Sequence, residues 1–187
     1  MKTILGIVGS PRKDGNTHIL LSKILEGAKA AGAATELILL SDSKIGECDG
    51  CHACWKGRRC SKNDDMIDIY PKIIASDVIV FGTPVYWYGP TALMKAFVDR
   101  FVYFNSPKNR ALIRGKEAAI AVPLEEKNPS TAALVEAFFE KSLAYLEMKL
   151  IGRVIAPGVG EKGEILAKKK VLAEAYELGR SMAQRRS

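Results

Sequence analysis

All four cysteines of the chain fall within thirteen residues, as Cys48-x2-Cys51-x2-Cys54-x5-Cys60. Thiolates spaced by two residues can wrap one face of a cuboidal cluster, and the longer last step lets a fourth reach round it. A bacterial ferredoxin run shares the first two spacings, but its fourth cysteine follows sooner and serves another cluster. With only one set of four, self-contained [4Fe–4S] ligation is the natural reading. Structural zinc usually joins two cysteine pairs across a longer gap. Zinc and metal-free reduced thiols are the alternatives that the spacing leaves open. His52 lies inside the same segment, but four cysteines already suffice, so it reads as solvent-facing.

A second candidate is the segment Gly-Ser-Pro-Arg-Lys-Asp-Gly-Asn-Thr at 9–17. Ser10, Asn16 and Thr17 offer polar side chains, and Arg12 can form a charge-assisted bond. The helix expected next directs unpaired N–H groups at the same place, which is phosphate chemistry. The segment is neither G-x-x-x-x-G-K-[ST] nor G-x-G-x-x-G, so ATPase and dinucleotide-binding readings lose ground. The plainer alternative is an ordinary strand-to-helix turn with an Asn/Thr cap. Nearby His18 reads as a helix-surface residue.

The third candidate is Thr-Pro-Val-Tyr-Trp-Tyr-Gly-Pro at 83–90. Three consecutive aromatics at an exposed strand end need a cover. A planar heteroaromatic ligand supplies one and a subunit interface supplies another. Paired with a phosphate cradle at a neighbouring strand end, flavin mononucleotide (FMN) fits both loops, phosphate in the first and ring against the second.

The elements that must position these loops alternate regularly. Apolar runs at 3–9, 35–40, 77–82, 117–122 and 150–155 read as buried strands. Helical spacing covers 16–31, 91–104, 131–148 and roughly 164–185. Pro71 falls early in a further helix, which it would delay or kink. Such β-α units imply an α/β protein, a parallel sheet with helices on both faces and ligands at the carboxyl ends of its strands. The site loops are then those after Gly9, Gly82 and Val122. The segment from 41 to 66, about 25 residues without clear periodicity, is long enough to suggest function, and it holds every cysteine.

The combination G-S-P-R-x-x-G-N-T, D-V-I-V-F-G-T-P-V-Y-W and L-M-K-A-F-V-D-R resembles the NADPH-dependent FMN reductase superfamily of flavodoxin-like proteins. The resemblance covers most of the chain and weakens between Pro123 and Val159. It implies a three-layer flavodoxin-like sandwich over residues 1–187 as one domain. The sheet would be five-stranded and parallel in the order 2-1-3-4-5, with a cysteine-rich loop (about 42–66) inserted after strand 2. It further implies FMN phosphate binding at Ser10, Arg12, Asn16 and Thr17, and ring contacts at Pro84, Val85, Tyr86, Trp87 and Tyr88. The third flavin loop, Pro123–Glu126, reads P-L-E-E and lacks the glycines expected there. The compact cysteine motif is similar to that of the iron–sulfur flavoproteins. In that family one subunit's cluster approaches another's FMN, which implies a homodimer or homotetramer. The expected function is electron transfer from ferredoxin or NAD(P)H to a small oxidant or carrier. The alternative is a cluster-free NAD(P)H-dependent FMN or quinone reductase with structural cysteines. Neither reading needs a catalytic side chain.

The 187 residues carry 28 Lys+Arg against 21 Asp+Glu, a formal charge of +7. A [4Fe–4S] centre with four thiolates and an FMN phosphate contribute about −2 each, so more than half of that excess is countercharge for the expected cofactors. The remainder suits a weakly bound acidic carrier such as ferredoxin better than nucleic acid, for which no basic aromatic face argues. Lys168-Lys169-Lys170 and Arg185-Arg186 read as solvated charge, and Lys95 with Asp99 as a surface pair. No signal or membrane-spanning run is visible, so a cytoplasmic protein with reduced thiols is expected.

Overall fold

The computed structural model describes residues 1–185. It contains five parallel strands, β1 (Thr3–Val8), β2 (Ala34–Leu39), β3 (Val78–Gly82), β4 (Glu117–Pro123) and β5 (Lys149–Ala156), in the order β2-β1-β3-β4-β5. Pairing is in register from Thr3↔Ala34 to Val8↔Leu39 and from Ile4↔Val78 to Val8↔Gly82. One register shift interrupts β4–β5 at Ala118/Ala119. The expected sheet and its order are therefore present.

Both faces are covered, and the pleat sorts side chains between them. Ile4, Val8, Val78, Val80, Ala119 and Ala121 face one core, shared with α1 (Asn16–Ala30) and α6 (Lys169–Gln184). Leu5, Ile7, Ile79, Phe81, Ile120 and Val122 face the other. That second layer holds α2 (Met66–Ala75), α3 (Ala92–Asp99), α4 (Val102–Asn105) and α5 (Ala133–Tyr145). Each buried Phe or Leu side chain contributes roughly 1.5–3 kcal/mol. α1 and α6 cross very closely at two glycines: a Cβ on Gly27 would fall 1.9 Å from the Tyr176 carbonyl oxygen, and one on Gly179 1.8 Å from that of Ile24.

Several boundaries differ from the sequence reading. The helix expected over 91–104 breaks into α3 and α4 because Arg100 turns its side chain into the core. The backbone there tightens to Arg100 N→Phe97 O and Phe101 N→Val98 O contacts, and Tyr70 Oη donates to the Arg100 carbonyl at 3.0 Å. Thr91 lies outside the helix as its cap, accepting from Met94 N. The last helix is preceded by a separate 3-10 turn, Glu164–Ala167. Pro71 sits inside α2, which still starts at Met66. Arg185 pairs with Glu117 instead of standing free in solvent. Arg186, and with it the end of the expected 1–187 domain, lies outside the described residues. No helix among them is long and apolar enough to cross a membrane.

Candidate functional site

From β1 the chain runs through α1 to β2 on one side, and from β3, the neighbour of β1 on its other side, it runs on to β4, so the loops after β1 and β3 part at the carboxyl ends of the strands. A solvent-open cleft occupies that switch point. Ser10, Arg12, Asn16, Thr17, Pro84, Val85 and Tyr86 all line it. Pro123, Leu124 and Glu125 form a further wall, so the glycine-free loop after β4 does reach the cleft.

The phosphate-cradle loop is stiff. Arg12 N donates to Ser10 Oγ at 3.2 Å, and Gly15 N to Arg12 O at 3.2 Å. A Cβ on Gly15 would lie 2.9 Å from that same carbonyl, so the turn requires glycine. Gly15 is also the N-cap of α1 and offers no side-chain cap. The first N–H of α1 to find a carbonyl is that of Ile19, on Gly15. The N–H groups of Asn16, Thr17 and His18 meet no acceptor among the described residues. An uncapped helix N-terminus whose first residues, Asn16 and Thr17, line a cleft brings its positive dipole end to that cleft and suits a phosphate. These residues fit the phosphate end of FMN.

The loop after β3 is locked to this cradle. Thr83 Oγ1 accepts from Thr91 N at 3.1 Å, and Thr91 Oγ1 donates to the Gly9 carbonyl. Thr91 thus caps α3 and also ties the two cleft loops together. Between them the chain reverses in a tight turn, with Tyr86 N→Gly89 O at 2.9 Å and Gly89 N→Tyr86 O at 3.0 Å. Its central residues, Trp87 (φ 49°) and Tyr88 (φ 61°), both adopt left-handed backbone. Trp87 is 98% exposed. Trp87 and Tyr88 therefore stand at the rim and line a recess with Val85, Glu126 and Thr131, which adjoins through Val85 the cleft that holds the other seven expected flavin residues.

The cysteines lie between β2 and α2, on a segment packed against α4 and the end of α3. Trp55 Nε1 donates to the Val102 carbonyl at 3.3 Å. Arg100, 1% exposed, donates to the Gly46 carbonyl at 2.9 Å, to the Asp64 carboxylate and to Cys60 Sγ at 3.2 Å. Cys51 Sγ meets Ser61 Oγ at 3.0 Å. Burial pushes the Cys54 thiol up, and Cys60 and Cys48 add to that push from nearby. Four thiols on one loop are the donor chemistry that an iron–sulfur cluster takes, although no three His, Cys, Asp or Glu side chains converge on one point among the described residues. Lys13 and Asp42, paired at 2.7 Å, link the phosphate-cradle loop to the start of this segment. The hydrogen bond from Lys13 holds the Asp42 carboxyl below its usual range. His52 is exposed and edge-on to Trp55. Lys95 and Asp99 pair at 2.7 Å on the surface of α3.

Sequence reasoning missed the wall that follows β5. Val159, Gly160 and Lys162 line the cleft. The signal was the glycine-rich string Pro-Gly-Val-Gly-Glu-Lys-Gly at 157–163, directly after a strand.

A doubly wound sheet in this order, with an open helix N-terminus at its switch point, defines a flavodoxin-like protein. Residues 2–158 match the family model of NADPH-dependent FMN reductase, and the chain belongs to that family. It is a flavin-dependent oxidoreductase. Two iron–sulfur flavoproteins of Archaeoglobus fulgidus are similar to it. One is 31% identical over 98% of this chain and 80% of its own length, the other 33% identical over 87% and 80%. The NAD(P)H:quinone oxidoreductase of Methanothermobacter marburgensis shares the fold, with a TM-score of 0.76 at 16% identity over 97% of this chain and 98% of that one.

Proposed function

We propose that the protein passes electrons through two cofactors, FMN in the strand-end cleft and a [4Fe–4S] cluster held by Cys48, Cys51, Cys54 and Cys60. Ferredoxin or NAD(P)H would be the donor and a small oxidant or carrier the acceptor. The observation that carries this reading is the gathering of Ser10, Arg12, Asn16, Thr17, Pro84, Val85 and Tyr86 around one cleft open to an uncapped helix. The cysteine spacing and the names of the two Archaeoglobus relatives support the cluster. When bound, FMN exchanges one or two electrons and the cluster one, so together they interconvert hydride and single-electron chemistry.

The chain's own residues bind and orient. The α1 N–H groups, Ser10 and Thr17 would hold the phosphate, Pro84, Val85 and Tyr86 the ring, and Trp87 and Tyr88 would border it from the rim. No cysteine lines the cleft, which is consistent with an assembly in which a second subunit brings its cysteine loop to the flavin. The whole chain would act as one FMN-binding domain, in the cytoplasm.

Anaerobic purification tests the reading. The expected product carries FMN, about four iron and four sulfide per chain, and a broad visible band that bleaches on reduction. Cys51→Ser should lose the iron and keep the flavin. A second reading, a cluster-free FMN or quinone reductase, draws on the structural contacts that Cys51 and Cys60 make to Ser61 and Arg100. Flavin with zinc or without metal would sink the cluster and leave that second reading standing.

A further inference from the structure

Asn16 was expected to hold phosphate, but its side chain is fully engaged elsewhere. Its Nδ2 donates to the carbonyls of Val159 (3.2 Å) and Glu161 (2.8 Å). Its Oδ1 accepts from the N–H groups of Gly163 (3.0 Å) and Ile165 (3.2 Å). Two donors and two acceptor lone pairs exhaust a carboxamide. Arg12 is committed in part as well, with Nη1 donating to the Gly160 carbonyl at 2.8 Å. Arg12 and Asn16 thus both grip the segment after β5.

The grip centres on one residue. The Glu161 carbonyl and the Gly163 N–H belong to the two peptide units that flank Lys162, and Asn16 holds both. Glu164 reinforces the bend by accepting from Gly160 N at 2.7 Å and Glu161 N at 2.9 Å. Lys162 lines the cleft beside Ser10, Arg12 and Thr17. Its ammonium makes no hydrogen bond or ion pair with any other described residue. An exposed, unpaired cation on a backbone clasped at the wall of a cleft that an uncapped helix N-terminus also lines is placed to meet a dianion.

We propose that Lys162 is a cationic anchor for the phosphate of the flavin, and that Asn16 is the positioning residue that carries it there. This rests on the FMN reading above. The anchor acts on the phosphate alone, so it separates FMN from riboflavin, which has the same ring and no phosphate.

Titration of the flavin-free protein with FMN and with riboflavin, followed by quenching of flavin fluorescence, tests the assignment. Lys162→Ala should weaken FMN about tenfold, the lower end for a charge-assisted bond at a partly open site, and leave riboflavin unchanged. Lys162→Arg should restore most of the loss. Asn16→Ala should show the same selective loss, because it frees the loop that carries Lys162. Equal weakening of both flavins by Lys162→Ala, or no weakening of FMN, overturns the anchor while leaving the flavin reading intact. Failure of the unaltered protein to bind FMN overturns both.

Discussion

Arg100 Nη2 stands 3.2 Å from Cys60 Sγ, and the same guanidinium, buried to 1% exposure, also holds the Gly46 carbonyl and the Asp64 carboxylate. One side chain at the end of α3 thus fixes both flanks of the cysteine segment, residue 46 before the first thiol and residues 60 and 64 around the last. Burial alone would lower the basicity of Arg100, but Asp64, Tyr70 and Cys60 more than offset it and hold the group cationic.

Arg100→Met should therefore loosen the segment while leaving the sheet in place. Removing one partner of a buried pair costs about 3–5 kcal/mol, since the other charge stays buried. We expect urea unfolding to show a loss of about that size, and limited proteolysis to cut faster within 46–64 than elsewhere. Unchanged stability would mean that the guanidinium is not the tether.

Asp64 supplies the pH dependence of this tether. Burial raises its carboxyl's pKa, but Arg100 and the N–H groups of Gly46 and Met66 outweigh that and hold it below the ordinary value of 3.8. A depressed folded-state pKa gives stability that is fully present above the unfolded value and is lost as pH falls through the folded one. Asp64→Asn should thus cost about 2 kcal/mol at pH 7. That deficit should stay level down to about pH 5 and shrink as the native carboxylate protonates below about 4. Urea midpoints across this range measure it, and a deficit independent of pH would exclude the ion pair as its source.

The sheet was legible because its central strands are short apolar runs closed by Gly, Ser or Pro, as Val8-Gly9-Ser10 and Phe81-Gly82-Thr83 are. The two principal cleft loops were legible because their chemistry is local, within nine and eight residues. Asn16 and Arg100 were not. The partners of Asn16 lie 143–149 residues away, and no local pattern distinguishes a carboxamide that clasps a distant loop from one that binds phosphate. Arg100 reads as the polar end of a helix in L-M-K-A-F-V-D-R. Only the tertiary meeting with Asp64 turns it inward and splits that helix. The loop after β5 went unread because its contribution depends on the clasp.

The glycine contact between α1 and α6 should be intolerant in a way that helix propensity opposes. Alanine favours a helix over glycine by about 1 kcal/mol. At Gly179, however, the added methyl would lie 1.8 Å from the Ile24 carbonyl, and the helices must separate. Gly179→Ala should cost about 2–3 kcal/mol net, read as a lowered melting temperature. Because α1 carries the phosphate cradle at its other end, FMN affinity should fall with it. A rise in stability would show that the helices can part freely.

The Trp87–Tyr88 turn sets stability against use. Both residues hold left-handed backbone, φ 49° and 61°, in the hairpin geometry that Asn-Gly adopts with least strain. Left-handed backbone costs an L-residue about 1–2 kcal/mol, and Trp87, 98% exposed, recovers none of it through burial within its own chain. Replacing the pair by Trp87→Asn with Tyr88→Gly should raise stability by about 1–2 kcal/mol, visible as a higher melting temperature. If the aromatics serve the flavin's planar reaction partner or a neighbouring subunit, the same variant should lose kcat/KM for that partner or self-associate more weakly in sedimentation. A gain in stability with both properties unchanged would leave the strain without a functional counterpart and remove the turn from the site.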